Sequence, residues 1–219
     1  VATSPSLIPS TATNAPLLVA DTQGNLLAID QHDGSTLWHI TLPAGVVAPL
    51  SSHDATLIVA TVDGDLLAID LATHTTTWHH ITTYLPQDDR VAFDSAISLH
   101  RARIEAAPVI DPSRRLVVIA YMRGAPQSTP PFLAIDLDSG DLLWEASANT
   151  PHRSTWYDQH VAPVLVEDRL IFIEPFSPLT AGVSLDDGQM LFLSNRPSCI
   201  QRQRSRIVHA SDLNYVPRH

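Results

Sequence analysis

One short pattern recurs along this chain and constrains its fold more than any other feature. The pattern is Ala-x-Asp-x-x-x-Gly-x-x-x-Trp, which occupies Ala28–Trp38 and Ala134–Trp144 in full. Ala68–Trp78 repeats it with His74 in the glycine place, and Gly182–Phe192 is a degenerate copy that ends on phenylalanine. Self-similarity at a spacing of about 40 residues indicates a repeat architecture.

The residues around each copy predict four short strands per repeat. A β-branched apolar run precedes each copy, beginning at Leu17, Leu57, Leu116 and Leu170. A proline precedes each run, and no helical periodicity separates the copies. Four-stranded units of this length with a periodic aromatic residue are typical of β-propeller blades. We therefore predict an all-β fold, a β-propeller of four recognisable four-stranded antiparallel blades with a possible partial fifth.

The repeat frame also sets approximate boundaries. We predict blades at about 9–43, 44–83, 104–147 and 160–195, with a linker or tail at residues 1–8. Residues 196–219 would be a partial blade or a closing tail. Three ways of closing the ring stay open: a longer propeller of which this is a part, a small ring, or an arc completed by a partner or a second copy. The absence of a signal peptide and the start at Val1 indicate a processed, trimmed or partial product.

Each recurring residue of the repeat has a predicted structural role. The aspartates precede a turn, where a short carboxylate can accept local backbone N–H groups, and the glycines supply a permissive backbone. The aromatic residues are predicted to pack against the neighbouring blade, because one four-stranded sheet cannot bury its own faces. These structural residues are Asp30, Gly34, Trp38, Asp70, Trp78, Asp136, Gly140, Trp144 and Phe192.

The frame, preceded in the second repeat by Asp63-Gly64-Asp65-Leu66, resembles the PQQ-like β-propeller repeat family. That family includes quinoprotein alcohol dehydrogenases, an outer-membrane assembly lipoprotein and extracytoplasmic sensor domains of bacterial kinases. Resemblance to the dehydrogenase members would imply a catalytic aspartate, and often a vicinal cysteine pair, beside bound PQQ and calcium. This chain has one cysteine, Cys199, and no identifiable counterpart of that aspartate.

Composition excludes several classes of function. The formal charge of −10 argues against nucleic-acid binding, because phosphate contacts need positive potential. All 13 basic residues are arginine, so lysine Schiff-base and P-loop chemistry are excluded. A single cysteine permits neither an internal disulfide nor a cysteine-rich zinc site. No apolar run reaches the length of about 18 residues that a membrane span needs.

Insertions interrupt the repeat at four places: Thr83–Arg103, Arg123–Pro131, Ala148–His160 and Glu174–Thr180. Each would join the second strand to the third, or the fourth strand to the next blade. Both kinds of connection leave a blade at the same end, so all four insertions are predicted on one face. Loops on such a face commonly carry recognition. We therefore expect this face to bind a partner.

Two groups of residues are candidate partner contacts. Trp156, Tyr157, Asp158 and His160 lie within six residues, a mixture common in binding hot spots, although these aromatics could instead cap the propeller core. Arg101 and Arg103, beside His100 and Glu105, could form an anion site or partner ion pairs, or simply a solvated strand edge.

Other candidate sites have weaker patterns. Asp88, Asp89 and Asp94 could hold calcium but match no EF-hand spacing. His39, His79 and His80 follow the tryptophans, and alternation along a strand favours surface positions over a shared metal. Four arginines near the C-terminus could dock an acidic partner or lipid head groups, or form a solvated loop; they are Arg196, Arg202, Arg204 and Arg206.

These patterns favour a non-catalytic scaffold or binding subunit of a larger, extracytoplasmic or periplasmic assembly, possibly membrane-associated. We expect a protein partner, no nucleic acid, no cofactor, and no catalytic or metal-binding residue. The alternatives are an extracytoplasmic sensor domain of a receptor or kinase and, less favoured, a dehydrogenase that uses PQQ with calcium.

Overall fold

A computed structural model describes residues 6–7, 15–84, 100–121, 131–147, 162–173 and 180–194. These residues form four four-stranded antiparallel sheets and one two-stranded ribbon, and none of them is helical. In each four-stranded sheet the strands lie in the order of the chain, which is the meander of a propeller blade. The predicted all-β blade architecture is confirmed.

The strands of each blade follow one another without a crossover. Blade 1 contains β1 (Ser6–Leu7), β2 (Leu17–Ala20), β3 (Asn25–Ile29) and β4 (Thr36–Thr41). Blade 2 contains β5 (Ser51–His53), β6 (Thr56–Ala60), β7 (Asp65–Asp70) and β8 (Thr75–Ile81). The ribbon after blade 2 is made of β9 (Thr83–Tyr84) and β10 (His100–Arg101).

The last two blades repeat the same order. Blade 3 contains β11 (Val109–Asp111), β12 (Leu116–Ala120), β13 (Pro131–Asp136) and β14 (Leu142–Ser147). Blade 4 contains β15 (Val164–Val166), β16 (Arg169–Ile173), β17 (Thr180–Ser184) and β18 (Met190–Ser194). The first strand of blade 3 contacts the first strands of blades 2 and 4, and Ser51 Oγ donates a 2.6 Å hydrogen bond to Pro108 O. The first strands therefore form the inner ends of the blades.

The linker predicted for residues 1–8 extends too far. Ser6 and Leu7 form β1 and pair with Leu18 and Leu17. This short strand is needed because β2 would otherwise leave its inner edge unpaired. Two residues are too few to show a period-2 pattern, so the boundary at residue 8 could not be refined from the sequence.

Blades pack face to face, and each pair of neighbours shares one apolar core. Alternate residues of the middle strands point to opposite neighbours. In blade 2, Leu57 and Val59 face blade 1, whereas Ile58 and Ala60 face blade 3, and all four are at most 1% exposed. Burial on both sides explains why these strands are continuous apolar runs.

A β-bulge between the third and fourth strands occurs at the same place in every blade. The register shifts between Ala28 and Ile29, and at the equivalent positions of the other three blades. A bulge increases the local twist of a strand pair. The repeated bulge lies directly beside the acidic turn, so it sets the same path into that turn each time.

The aspartate of the repeat closes the acidic turn. Asp30 Oδ1 accepts the backbone N–H of His32 at 2.7 Å. Asp70 Oδ1 accepts those of the second and third residues after it at 2.8 and 2.7 Å, and Asp136 Oδ1 does the same at 2.9 and 2.8 Å. The glycine four residues after the aspartate has a positive φ of +75° at Gly34 and +78° at Gly140. In blades 1 and 3 the carboxylate and the glycine together form the turn; His74 takes the glycine place in blade 2 with a φ of +59°.

Each tryptophan of the repeat (Trp38, Trp78 and Trp144) lies on the acidic turn of the following blade. Trp78 Nε1 donates to Leu137 O at 2.9 Å, across the interface between blades 2 and 3. Trp144 Nε1 donates to Leu185 O at 2.9 Å in the same way. Trp38 meets the ring of His74, with 4.8 Å between the ring centroids. The repeated aromatic therefore connects each blade to the next.

Phe192 occupies in blade 4 the place of the repeat tryptophan, paired with Gly182 as Trp78 is paired with Ala68; the residues after blade 4 lie outside the described part of the chain, so its contact with a following blade stays a prediction. Its side chain is 37% exposed, whereas Trp78 is only 8% exposed. The ring lies over Gly182 of its own blade, where an added Cβ would come within 2.2 Å of it.

We expect Trp78→Ala to lower the free energy of unfolding by about 3–5 kcal/mol, because it removes a buried aromatic ring from the interface between two blades. Thr76→Ala is the matched control on the same strand, since this exposed residue should change stability by less than about 0.5 kcal/mol. Urea unfolding followed by circular dichroism measures both. A loss below about 1 kcal/mol for Trp78→Ala would contradict the role of the ring in joining blades.

Gly140→Ala and Gly34→Ala should differ in cost although both glycines have a positive φ. An alanine at either place strains the backbone by about 1–2 kcal/mol. At Gly140 the new Cβ would also lie 2.8 Å from the Trp78 ring, whereas at Gly34 nothing described lies within 4 Å. We expect Gly140→Ala to cost about 1–3 kcal/mol more than Gly34→Ala in urea unfolding. Equal costs would show that the ring contact is not tight.

Candidate functional site

The long insertions leave the blades from one end of the sheets. In blade 3, Pro131 pairs with Ser147, so the segments before β13 and after β14 meet at the same end. In blade 4, Thr180 pairs with both Ile173 and Ser194, which places the corresponding segments together again. We call this end of the blades the loop face. The opposite end carries the acidic turns, and we call it the turn face.

On the turn face, polar side chains form hydrogen bonds and ion pairs with other groups of the same chain. The backbone N–H groups of Thr73 and Ala72 lower the pKa of Asp70. The Arg115 guanidinium binds Asp138 and lowers the pKa of that carboxyl. Arg114 Nε donates to Asp186 Oδ1 at 3.1 Å and so links blade 3 to the turn of blade 4. These carboxylates and cations have partners within the chain.

The insertion after blade 2 begins as a β-ribbon anchored on the loop face. Thr82 N donates to Gly64 O at 2.8 Å, and Ala102 N donates to Thr82 O at 3.0 Å. Gly64 has a φ of +82°, and a Cβ there would lie 2.6 Å from Ala102 O. The backbone of the ribbon base therefore lies directly on the second hairpin of blade 2. Thr83 and Arg101 pair above it.

Asp65 is the centre of a polar cluster at this anchoring point. Its carboxylate is fully buried and accepts from His79 Nε2 at 2.8 Å, Arg101 Nη1 at 3.2 Å and Thr61 Oγ1 at 3.1 Å. Thr61 Oγ1 in turn accepts the Asp65 N–H at 3.0 Å. A buried carboxylate is tolerated only with such partners. The cluster thus joins the ribbon, the hairpin and the outer strand.

The two predicted contact arginines have partners within the chain. Arg101 binds Asp65, and Arg103 Nε binds Glu105 Oε1, whose side chain is 8% exposed. Both arginines keep part of their surface in solvent, with exposed side-chain fractions of 46% and 57%. Each is therefore fixed at the loop face with part of its side chain free for further contacts.

His39 and His79, which directly follow Trp38 and Trp78, bind across their own blades. His39 Nε2 lies 3.1 Å from Asn25 Oδ1, just as His79 binds Asp65, and both partners are the first residue of a third strand. Burial lowers the pKa of His80. Among the described residues, no three His, Cys, Asp or Glu side chains are arranged to hold a metal ion.

Sequence reasoning assigned Asp65 to the repeat frame and did not identify it as the centre of a cluster. A signal was present, because the equivalent place in blade 1 is the neutral Asn25. A carboxylate where another repeat has an amide indicates an added charge that needs a cationic partner. Arg101, 36 residues further on, could not be recognised as that partner without the fold.

Several predicted sites lie outside the described residues. The candidate contacts Trp156, Tyr157, Asp158 and His160 are among them. So are the possible calcium ligands Asp88, Asp89 and Asp94, and the C-terminal arginines Arg196, Arg202, Arg204 and Arg206. They stay predictions from the sequence.

We expect Asp65→Ala to lower the free energy of unfolding by about 1.5–3 kcal/mol, the range for hydrogen bonds to charged groups. Asp63→Ala is the matched control, because Asp63 lies in the same hairpin but is exposed. Unfolding in urea measures both, and proteolysis of the native proteins measures local opening of the ribbon. Equal stability of the two variants would show that the cluster does not anchor the ribbon.

Comparison with solved structures shows the propeller fold at low sequence identity. BamB from Moraxella catarrhalis matches with a TM-score of 0.61 and 20% identity over 88% of this chain and 52% of that one. Saccharomyces cerevisiae Sqt1 matches with a TM-score of 0.65 and 13% identity over 88% and 49%. A quinohemoprotein alcohol dehydrogenase from Pseudomonas putida HK5 matches with a TM-score of 0.58 and 15% identity over 88% and 34%.

The chain thus spans about half the length, or less, of these structures. No curated protein sequence matches it. A family model does match, over residues 3–177, and its description is outer membrane protein assembly factor BamB. Because this match covers most of the 219 residues, the chain belongs to the BamB family of PQQ-like repeat β-propellers.

Proposed function

We propose that this chain is a non-catalytic β-propeller scaffold that recognises a protein partner through its loop face. The observation that carries the proposal is the difference between the two ends of the blades. On the turn face, short turns use their polar groups within the fold. On the loop face, the connections are long, and one of them is anchored by a buried carboxylate. Rigidly supported loops are a common way to present a binding surface.

The chemistry of the loop face suits a protein partner. Arg101 and Arg103 are held in place by ion pairs while part of each guanidinium side chain is exposed. Ile81, at the loop-face end of β8, pairs with Asp65, the partner of Arg101, and is 46% exposed. Exposed arginine next to apolar surface is the composition that protein interfaces favour. We propose Arg101 and Arg103 as contacts for acidic or carbonyl groups of that partner.

Family membership supports the same role. The family description names an outer membrane assembly factor, which is consistent with work in a protein assembly outside the cytoplasm. We therefore propose a periplasmic, membrane-associated location and a role that needs neither PQQ nor calcium. In the part of the chain that the structure describes, no helix has the length and apolar character to cross a bilayer.

Site-specific photo-cross-linking tests the proposal. A p-benzoylphenylalanine residue replaces Ile81 at the loop-face end of β8, or Thr76 at the turn-face end of the same strand. Both positions are exposed, so neither change removes buried packing. In an envelope extract of the source organism, we expect irradiation to join the Ile81 variant to one protein of defined mass, and the Thr76 variant to none.

Equal cross-linking from both positions, or a defined product from Thr76 alone, would contradict recognition through the loop face. Dye reduction by the purified chain with PQQ, calcium and an alcohol would contradict its non-catalytic character.

A further inference from the structure

The outer strands of blades 3 and 4 carry large apolar residues that water reaches. Leu142 and Leu143 of β14 are each 50% exposed, and Met190 and Leu191 of β18 are 37% and 48% exposed. Each pair forms the first two residues of its strand, directly after the acidic turn. Two neighbouring blades therefore present apolar side chains at the same place on their outer rim.

Neither the surroundings nor the fold explains this exposure. Blade 3 packs against blade 2 on one side and against blade 4 on the other, yet Leu142 and Leu143 stay half exposed. Blade 2 has Thr76 and Thr77 at the same two places of its outer strand. Because the fold accepts threonine there, it does not need leucine. Apolar surface without a structural role marks a place of interaction.

Trp144 connects the two exposed pairs. Met190 pairs with Val183, and paired residues of neighbouring strands lie on the same side of a sheet. Val183 packs with Trp144 in the core between blades 3 and 4, so Met190 lies on the side of blade 4 that faces this partly buried ring. Leu143 directly precedes Trp144 in β14. We call the resulting surface the outer belt, and it consists of Leu142, Leu143, Trp144, Met190 and Leu191.

Carboxylates border the outer belt. On blade 3, Asp141 lies directly before it and Glu145 directly after it, and both residues are exposed. On blade 4, Asp187 lies just before it, and a hydrogen bond from the backbone N–H of Gln189 lowers the pKa of this carboxyl. Asp187 is therefore ionised at neutral pH, and the belt has negative charge along its edges.

The turns beside the outer belt add to this negative charge. In blades 3 and 4 they contain eight carboxylates and three arginines, an excess of five negative charges. Each arginine binds a carboxylate of the same turns, so it offers no free positive charge to an incoming anion. These carboxylates belong to Asp111, Asp136, Asp138, Asp141, Glu167, Asp168, Asp186 and Asp187.

We propose that the outer belt binds a basic amphipathic helix of a second protein, with the apolar stripe of the helix on the belt and its lysine or arginine residues beside the bordering carboxylates. The belt crosses the ends of two outer strands, so its occupant lies across these strands and does not pair with their edges. It is also narrow, with carboxylates along its edges. A helix with apolar residues at i, i+3, i+4 and i+7 between basic ones has the complementary arrangement.

The outer belt is separate from the partner contact proposed for the loop face. It lies at the other end of the strands, on the rim beside the turns. Thr76 pairs with Ile69, which packs between blades 1 and 2, so Thr76 faces away from the belt. An anionic lipid surface is the less favoured occupant, because its head groups would meet the excess of carboxylates.

Binding of a fluorescein-labelled model helix to the full chain tests the proposal. The probe carries leucine at i, i+3, i+4 and i+7 and lysine elsewhere, and the control peptide has glutamate in place of lysine. In fluorescence anisotropy at low salt, we expect saturable binding of the lysine peptide and none of the glutamate peptide. Affinity for the lysine peptide should fall as salt rises, because ions screen the attraction to the carboxylates.

Substitutions that copy the residues of blade 2 locate the binding site. Leu142→Thr combined with Leu143→Thr should raise the dissociation constant by at least about tenfold, because less apolar surface is buried. The double variant should fold, since blade 2 has threonine at both places. Leu37→Thr is the matched control, because Leu37 is 52% exposed at the same place of blade 1 but lies outside the belt.

A second pair of variants tests the role of charge. Asp141→Asn should weaken binding of the lysine peptide and reduce its salt dependence, because Asp141 borders the belt. Asp33→Asn removes an exposed carboxylate from the turn of blade 1 and should change neither. Cross-linking from Ile81 should persist in the leucine double variant, so a failure of this proposal is distinguishable from a failure of loop-face recognition.

Four results would overturn the proposal. The first is no saturable binding of the lysine peptide, and the second is equal binding of the glutamate peptide. The third is equal weakening by Leu37→Thr and by the leucine double variant. The fourth is co-sedimentation of the chain with phosphatidylglycerol vesicles that the leucine double variant abolishes, since the belt would then contact a membrane.

Discussion

The contact between a tryptophan ring and the acidic turn of the next blade is the interaction on which the rest of the structure depends. A four-stranded sheet has two apolar faces and no way to cover either alone. The aromatic at the end of the fourth strand lies on the neighbouring turn and donates to its backbone, as Trp78 does to Leu137 O. The ring fixes the distance between two blades and their relative orientation at the outer end of the interface. The aliphatic residues closer to the propeller axis can therefore interdigitate.

This arrangement divides the two ends of the blades between structure and recognition. The turns of blades 2, 3 and 4 must be short and must keep the same shape, because each receives an aromatic ring from the preceding blade. The tryptophan contacts lie at the turn face, so a connection at the other end can lengthen without disturbing them. The cluster around Asp65 shows what lengthening then requires: a buried carboxylate holds the ribbon base through His79 and Arg101. The fold thereby permits longer connections on the loop face, and local polar contacts such as those of Asp65 hold the base of one of them.

Most of the fold could be predicted because the repeat places strands, turns and aromatics at fixed intervals. The turn carboxylates Asp30, Asp70 and Asp136 accept local N–H groups as their sequence position indicates. The features that the sequence did not predict depend on pairing between residues far apart in the chain. The short strand at Ser6 pairs with the edge of β2, and its two residues are too few to show a period-2 pattern. The Asp65 cluster joins residues far apart in the chain, so local patterns could not assemble it.

His74 shows how strongly an interface depends on its neighbour. It occupies the glycine place of the turn with a φ of +59°, a conformation that costs a non-glycine residue about 1–2 kcal/mol. Its ring meets Trp38, so the contact between blades offsets part of the strain. In a linear array, stability is the sum of such nearest-neighbour terms. Blades 2 and 3, which have a described neighbour on each side, therefore depend on those neighbours for their stability.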